Sequence, residues 1–201
     1  MARFKSRGRL IYDDLMIAAP DDRCPFCGHR NVSTLDHCLP KAQYPALAVT
    51  PINLAPCCKD YNHDKGNLAP AFKDDQLLNP YYDDVTDDPW LFAEIVPGSP
   101  PGVKFLVGYP KHWNPDMSAR VKNHFERLKL AKLYASQGGR QLQNMRGALA
   151  EIYDAVGMLA VREDLDRRYR GCSQIYVNSW EGALYRAAAA SNWYCNGGFR
   201  A

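Results

Sequence analysis

Two sets of residues near the start of this sequence have the types and spacing to do chemistry. One is Asp36-His37 with Asn53, Asn62 and Lys65; the other is Cys24-x-x-Cys27 with the adjacent pair Cys57-Cys58. The first set suits hydrolysis of a phosphodiester. That reaction needs a water deprotonated beside phosphorus, charge neutralised on the phosphoryl and leaving oxygens, and a grip on the substrate backbone. A neutral His is the natural base near pH 7. A hard divalent ion on oxygen ligands does the neutralising. On a regular strand, Asp36 and His37 point to opposite faces. A distorted strand end is therefore expected to bring both to one cleft. A later helix then adds the Asn62 oxygen as a second ligand and Lys65 one turn on.

The cysteine set speaks for metal binding. Seven cysteines is an odd count. The start Met-Ala-Arg-Phe-Lys has no apolar signal segment behind it, and no stretch reaches the roughly 20 apolar residues of a membrane span. The chain reads as cytoplasmic. In a reducing compartment, Cys-x-x-Cys indicates metal or redox work rather than a disulfide staple.

The elements that must position these groups follow from pattern. Asn31–His37 reads as a short strand, Pro51–Asn53 as a loop, and Cys57–Asn67 as the opening of a helix that stops near Gly66-Asn67. Ahead of them, Leu10, Ile11, Leu15 and Ile17 supply apolar contacts for an arm and a short helix. Leu91–Val96 and Val103–Tyr109, joined by a Pro/Gly-rich loop, predict a hairpin. A helix starts near Pro115, with Val121, Phe125 and Leu128 at helical spacing, and Gly138-Gly139 is expected to break it. Leu142, Met145, Leu149, Ile152, Val156 and Leu159 predict one continuous amphipathic helix. A final helix begins at Asn178-Ser179, and the aromatic tail docks on the core.

Charge is uneven. A net +3 on 201 residues is only mildly basic. Arg3, Lys5, Arg7 and Arg9 form a basic arm, and basic residues outnumber acidic ones between Arg120 and Arg170. Both are candidates to track a phosphate backbone. The acidic run Asp83, Asp84, Asp87 and Asp88 reads as a solvated loop.

Leu35-Asp36-His37-Cys38-Leu39-Pro40-Lys41, Asn53-Leu54-Ala55-Pro56-Cys57-Cys58 and Asn62-x-x-Lys65-Gly66-Asn67 resemble the motif of HNH (ββα-metal) endonucleases. The resemblance covers residues 24–67. Asn79-Pro80-Tyr81-Tyr82-Asp83-Asp84 and the helical C-terminus are similar to HNH proteins of bacterial anti-phage defence operons. The resemblance implies a DNA endonuclease, with RNA a less favoured substrate. His37 would be the general base, and Asp36 and Asn62 would hold Mg²⁺ or Mn²⁺. Asn53 would brace the loop and orient His37. Lys65 would sit near the scissile phosphate or brace the motif. The defence likeness implies control by a partner such as an ATPase, or a homodimer.

The zinc set departs from the family pattern. The second Cys-x-x-Cys should be Cys58 and residue 61, but residue 61 is Tyr. Structural zinc sites are four-coordinate, and a neutral phenol is a poor ligand. Three readings stay open: Cys57 or His63 supplies the fourth ligand of a structural Zn²⁺ beside Cys24, Cys27 and Cys58; a three-cysteine site takes water or a partner group; or zinc is lost and Tyr61 packs in its space. Cys38, Cys172 and Cys195 read as packed or surface thiols.

The expected fold is α+β. An HNH module with a basic arm spans residues 1–75. Residues 76–201 carry a short hairpin and a mainly helical body for DNA, dimer or partner docking. A second reading is a catalytically inactive HNH scaffold that binds nucleic acid or a partner.

Overall fold

The computed structural model describes residues 7–67 and 69–201. Arg3 and Lys5 of the expected arm lie outside the described residues. In chain order the elements are α1 (Arg7–Ile17), β1 (Thr34–His37), β2 (Leu54–Cys57), α2 (Lys59–Lys65), β3 (Leu91–Val96) and β4 (Gly102–Val107). The helices α3 (Pro115–Arg127), α4 (Leu130–Val156), α5 (Met158–Ser173), α6 (Trp180–Ala190) and α7 (Asn192–Cys195) complete the chain. Among the described residues the fold is mixed α and β, with two small antiparallel sheets. No helix among the described residues is long and apolar enough to cross a membrane.

The chain forms two units. The first runs to Asp84 and takes in Ala119–Leu128; the second holds Val85–Ser118 and Lys129–Ala201. The first unit is thus written in two separate pieces of sequence.

In the first unit, β1 and β2 pair antiparallel with Asp36 opposite Ala55 and His37 opposite Leu54. Cys58 caps α2, its sulfur accepting from the Tyr61 N–H. Gly66 ends that helix at φ 58°, a left-handed value that glycine adopts freely. The core is small: Phe26, Ala55, Cys57 and Tyr61 from this piece, Val121 and Phe125 from α3, and Leu128 just after α3 are buried. Helix α1 differs from expectation. Leu10, Ile11 and Ile17 are exposed and none of its residues is buried.

In the second unit, the hairpin β3–β4 is flanked by α4 and α6. Gly138-Gly139 does not break the helix there. Helix α4 runs through both glycines, and the break falls instead at Lys129, which takes φ 51°. Gly138 serves a different need. A β-carbon at this position would lie 2.7 Å from Val103 Cγ1, so glycine lets the helix come close to β4. Gly138 also belongs to the buried stripe Leu130, Tyr134, Gly138, Leu142, Met145 and Leu149. The expected continuous helix to Leu159 is also corrected. Gly157, at φ 96°, separates α4 from α5, and Val156 and Leu159 are exposed. Ser179 caps α6, accepting from the Gly182 N–H, and Tyr194, Cys195 and Phe199 of the tail are buried.

Candidate metal and catalytic centre

The β1–β2–α2 segment gathers most of the residues singled out above. His37 ends β1. Its Nε2 lies 3.0 Å from the Ala48 carbonyl oxygen. A carbonyl only accepts, so Nε2 carries the hydrogen. In the neutral ring Nδ1 is then the free acceptor. This is the tautomer a general base needs.

Asn53 holds the loop that supplies this carbonyl. Its Oδ1 accepts from the Leu39 N–H at 2.7 Å. Its Nδ2 donates to the Leu39 carbonyl at 3.1 Å and the Leu47 carbonyl at 3.2 Å. Asn53 therefore clamps both ends of the segment between Leu39 and Leu47, next to Ala48. It does not bond the His37 ring. Its influence on that ring passes through Leu47–Ala48.

Asp36 is buried, and Lys65 Nζ sits 2.6 Å from its Oδ2. The same ammonium donates to the His37 carbonyl. Burial raises the Asp36 carboxyl above its ordinary value, and the Lys65 charge opposes that rise. Asn62 stands three residues before Lys65 on α2 and so shares its face. It is half-buried, whereas His63 is exposed. Thus Lys65 braces the acid directly, and α2 delivers its ammonium to the end of β1.

The second cluster comprises Cys24, Cys27 and Cys58. All three are buried, and their sulfurs lie within 4.8 Å of one another. Cys27 Sγ and Cys58 Sγ are 3.8 Å apart. With zinc–sulfur bonds of about 2.3 Å, two corners of a tetrahedron are about 3.8 Å apart. Cys27 and Cys58 thus have the spacing of two corners of a zinc site, with the Cys24 sulfur within 4.8 Å of both. Backbone amides face them too: Arg30 N–H donates to Cys27 Sγ and Tyr61 N–H to Cys58 Sγ, each at 3.4 Å. Hydrogen bonds from Cys24 and then Cys58 hold Cys27 far below the usual thiol range. The donor set fits a soft metal ion such as Zn²⁺.

The fourth corner is the point of correction. Neither Cys57 nor His63 joins the cluster among the described residues. Burial pushes the Cys57 thiol up to about 12, and it packs in the core. Tyr61 lies flat on Phe26, ring centroids 3.8 Å apart and planes 9° apart. Burial raises its phenol well above the usual range, so it stays neutral. Its aromatic ring fills space there.

Several residues that matter here were given no role, or a different one, in the sequence reading. Buried His124 on α3 bonds the Phe26 carbonyl through Nε2 at 2.7 Å and accepts from the Leu78 N–H through Nδ1 at 3.3 Å. Burial lowers its pKa to about 4, so it is neutral. Arg120 pairs with Asp83, whose side chain is only 8% exposed. Asp88 accepts from Trp113 Nε1 at 2.7 Å and meets His112 Nε2 at 3.0 Å. Asp83 and Asp88 are therefore structural acids, whereas Asp84 and Asp87 of the same run are exposed, as a solvated loop requires. A signal did exist: Arg120, His124 and Arg127 recur at spacings of 4 and 3 along one helical face.

No family model matches this chain. It is similar to Protein ea31 of Escherichia phage lambda, with 29% identity over 203 residues, covering 94% of this chain and 68% of that protein. No solved structure matches it. The name of the phage protein states no activity, so the functional argument rests on the geometry above.

Proposed function

We propose that this protein is a metal-dependent endonuclease of the HNH type, which hydrolyses phosphodiester bonds in DNA. The observation that carries the reading is the His37–Ala48 hydrogen bond of 3.0 Å, which leaves Nδ1 free to take a proton from water. Asn53 is a positioning residue that keeps the Ala48 loop in place. Asp36 and Asn62 would hold Mg²⁺ or Mn²⁺. The chemistry this ion supplies when bound is charge neutralisation on the phosphoryl and leaving oxygens. Lys65 holds the Asp36 side chain and adds positive charge beside the site. Cys24, Cys27 and Cys58 would hold Zn²⁺ and tie the segment before β1 to the start of α2. The defence role under partner control belongs to the same proposal.

The deciding experiment is plasmid nicking with Mg²⁺ or Mn²⁺, with RNA run alongside. Wild type should convert supercoiled to nicked or linear DNA, and His37→Ala should not. Equal behaviour of the two at high enzyme would sink the assignment.

One observation favours a second reading, a non-cutting HNH scaffold. The Asp36 and Lys65 side chains are only 4% and 6% exposed and are already paired. A site whose acid is permanently held by an ammonium would not take a divalent ion. Metal-free protein titrated with Mn²⁺ separates the two: the nuclease reading requires saturable binding that Asp36→Asn weakens.

A further inference from the structure

The first unit contains a cleft of about 590 Å³. Lys65, Cys38 and Leu39 form the wall it shares with the catalytic candidates, and Arg120 and Arg127 of α3 line it too. Such a volume lies within the range of small-ligand sites. The two arginines are seven residues apart, two helical turns, so they share a face. Their situations differ. Arg120 is engaged by Asp83 and by the Leu77 carbonyl. Arg127 is half-buried, and its guanidinium has no hydrogen bond, ion pair or ring contact among the described residues. A cation drawn partly out of water without a partner is unfavourable. A guanidinium fork matches the oxygens of a phosphate. The cleft also has an aromatic at its lining: Tyr82 is 66% exposed and offers a face for a base to stack on. The lining acid Asp83 is neutralised by Arg120, and Asp75 is exposed to water.

We propose that this cleft binds one nucleotide of the strand being cut, with its phosphate on Arg127 and its base against Tyr82. The proposal rests on the nuclease reading and names a substrate contact for it. Lys65 makes the shared wall, so the bound nucleotide lies next to the scissile phosphate.

The test measures binding of a labelled single-stranded oligonucleotide in chelator, across a salt series, for wild type, Arg127→Met and Lys122→Met. Lys122 is an exposed α3 residue outside the cleft. Arg127→Met should weaken binding about tenfold and lower the salt slope by about 0.7, the share of one lost phosphate contact on a single strand. Lys122→Met should stay within about twofold. A folded Arg127→Met protein with wild-type affinity and slope overturns the proposal, as does wild type that fails to bind. Should Arg127→Met not fold, an arginine-directed dicarbonyl reagent on wild type serves instead. The oligonucleotide should shield Arg127, and an unshielded Arg127 overturns the proposal. Failure of the nuclease reading looks different: Arg127-dependent binding without cleavage removes the activity and leaves the cleft, whereas cleavage untouched by Arg127→Met does the reverse.

Discussion

His37 is held by Ala48, eleven residues further along the chain, through a single hydrogen bond from Nε2 to a backbone carbonyl. Because the acceptor is main chain, no substitution at Ala48 removes it directly. The ring is therefore most easily disturbed through Asn53. Asn53→Ala leaves the Leu39 N–H and the Leu39 and Leu47 carbonyls without these partners. We expect a stability loss of about 3 kcal/mol and a fall in cleavage rate that exceeds any fall in DNA affinity. Thermal melts and a comparison of rate with binding check this. His37→Ala should abolish cleavage with little change in melting temperature.

Lys65 and Asp36 form a buried pair at 2.6 Å. Lys65→Met strands a carboxylate in a dry site and should cost about 3–5 kcal/mol. Asp36→Asn with Lys65→Met removes both charges and should recover more than half of that loss, as a double-mutant cycle in denaturant would reveal. Additive losses would mean the two side chains do not interact.

Purified protein should carry near one zinc per chain, and a strong chelator should lower its melting temperature. Cys58→Ser should remove the metal. Tyr61→Cys would complete a four-cysteine set and should retain zinc at least tenfold better against a competing chelator. Without metal the same variant should be less stable than wild type, because the ring stacked on Phe26 is lost.

His124 supplies a pH signature. Its pKa is about 4 in the folded chain, against an ordinary 6.5, because burial disfavours the charged ring. Its folded value is depressed, so the unfolded chain binds the extra proton first. Stability is full above about 6.5 and falls as pH drops through about 4, by roughly 3 kcal/mol at most. Melting temperature across pH 4–7 should show this slope, and His124→Gln should flatten it.

The adjacent glycines of α4 should respond with opposite signs. At Gly138 an added methyl meets Val103 Cγ1 at 2.7 Å, so Gly138→Ala should destabilise by about 1–3 kcal/mol. At Gly139 nothing lies within 4 Å, so Gly139→Ala should stabilise by about 0.5–1 kcal/mol through helix propensity. Denaturant melts of the two variants decide it.

Local pattern made some of this legible and hid the rest. The strand, loop and helix around Asp36 and Asn62 follow from short apolar runs, Pro51 and the Gly66 stop, all cues that act within a few residues. The hairpin follows from its Pro/Gly loop. Gly138-Gly139 misled because a helix breaker and a close-packing glycine look alike in sequence; only Val103 and Phe105 across the gap distinguish them. The true break, at Lys129, carries no glycine at all. Tyr61 announced a missing ligand, but its stacking on Phe26 depended on a fold not yet known. His124 and Arg127 were hidden for a simpler reason. The spacing of Arg120, His124 and Arg127 marks a shared helical face, but what that face meets comes from residues far away in the chain.

The division of the first unit into two stretches of sequence has a consequence for how the molecule is made. The Phe26 carbonyl receives its hydrogen bond from a histidine 98 residues later. On a growing chain, Asp36, His37, Asn53 and Lys65 all emerge before the hairpin, and Arg120, His124 and Arg127 emerge after it. Closing so long a loop is slow and entropically unfavourable. A nascent or prematurely terminated chain thus holds the proposed cutting residues without the arginine wall of the cleft. The order of translation itself delays assembly of the proposed phosphate grip until α3 has been made.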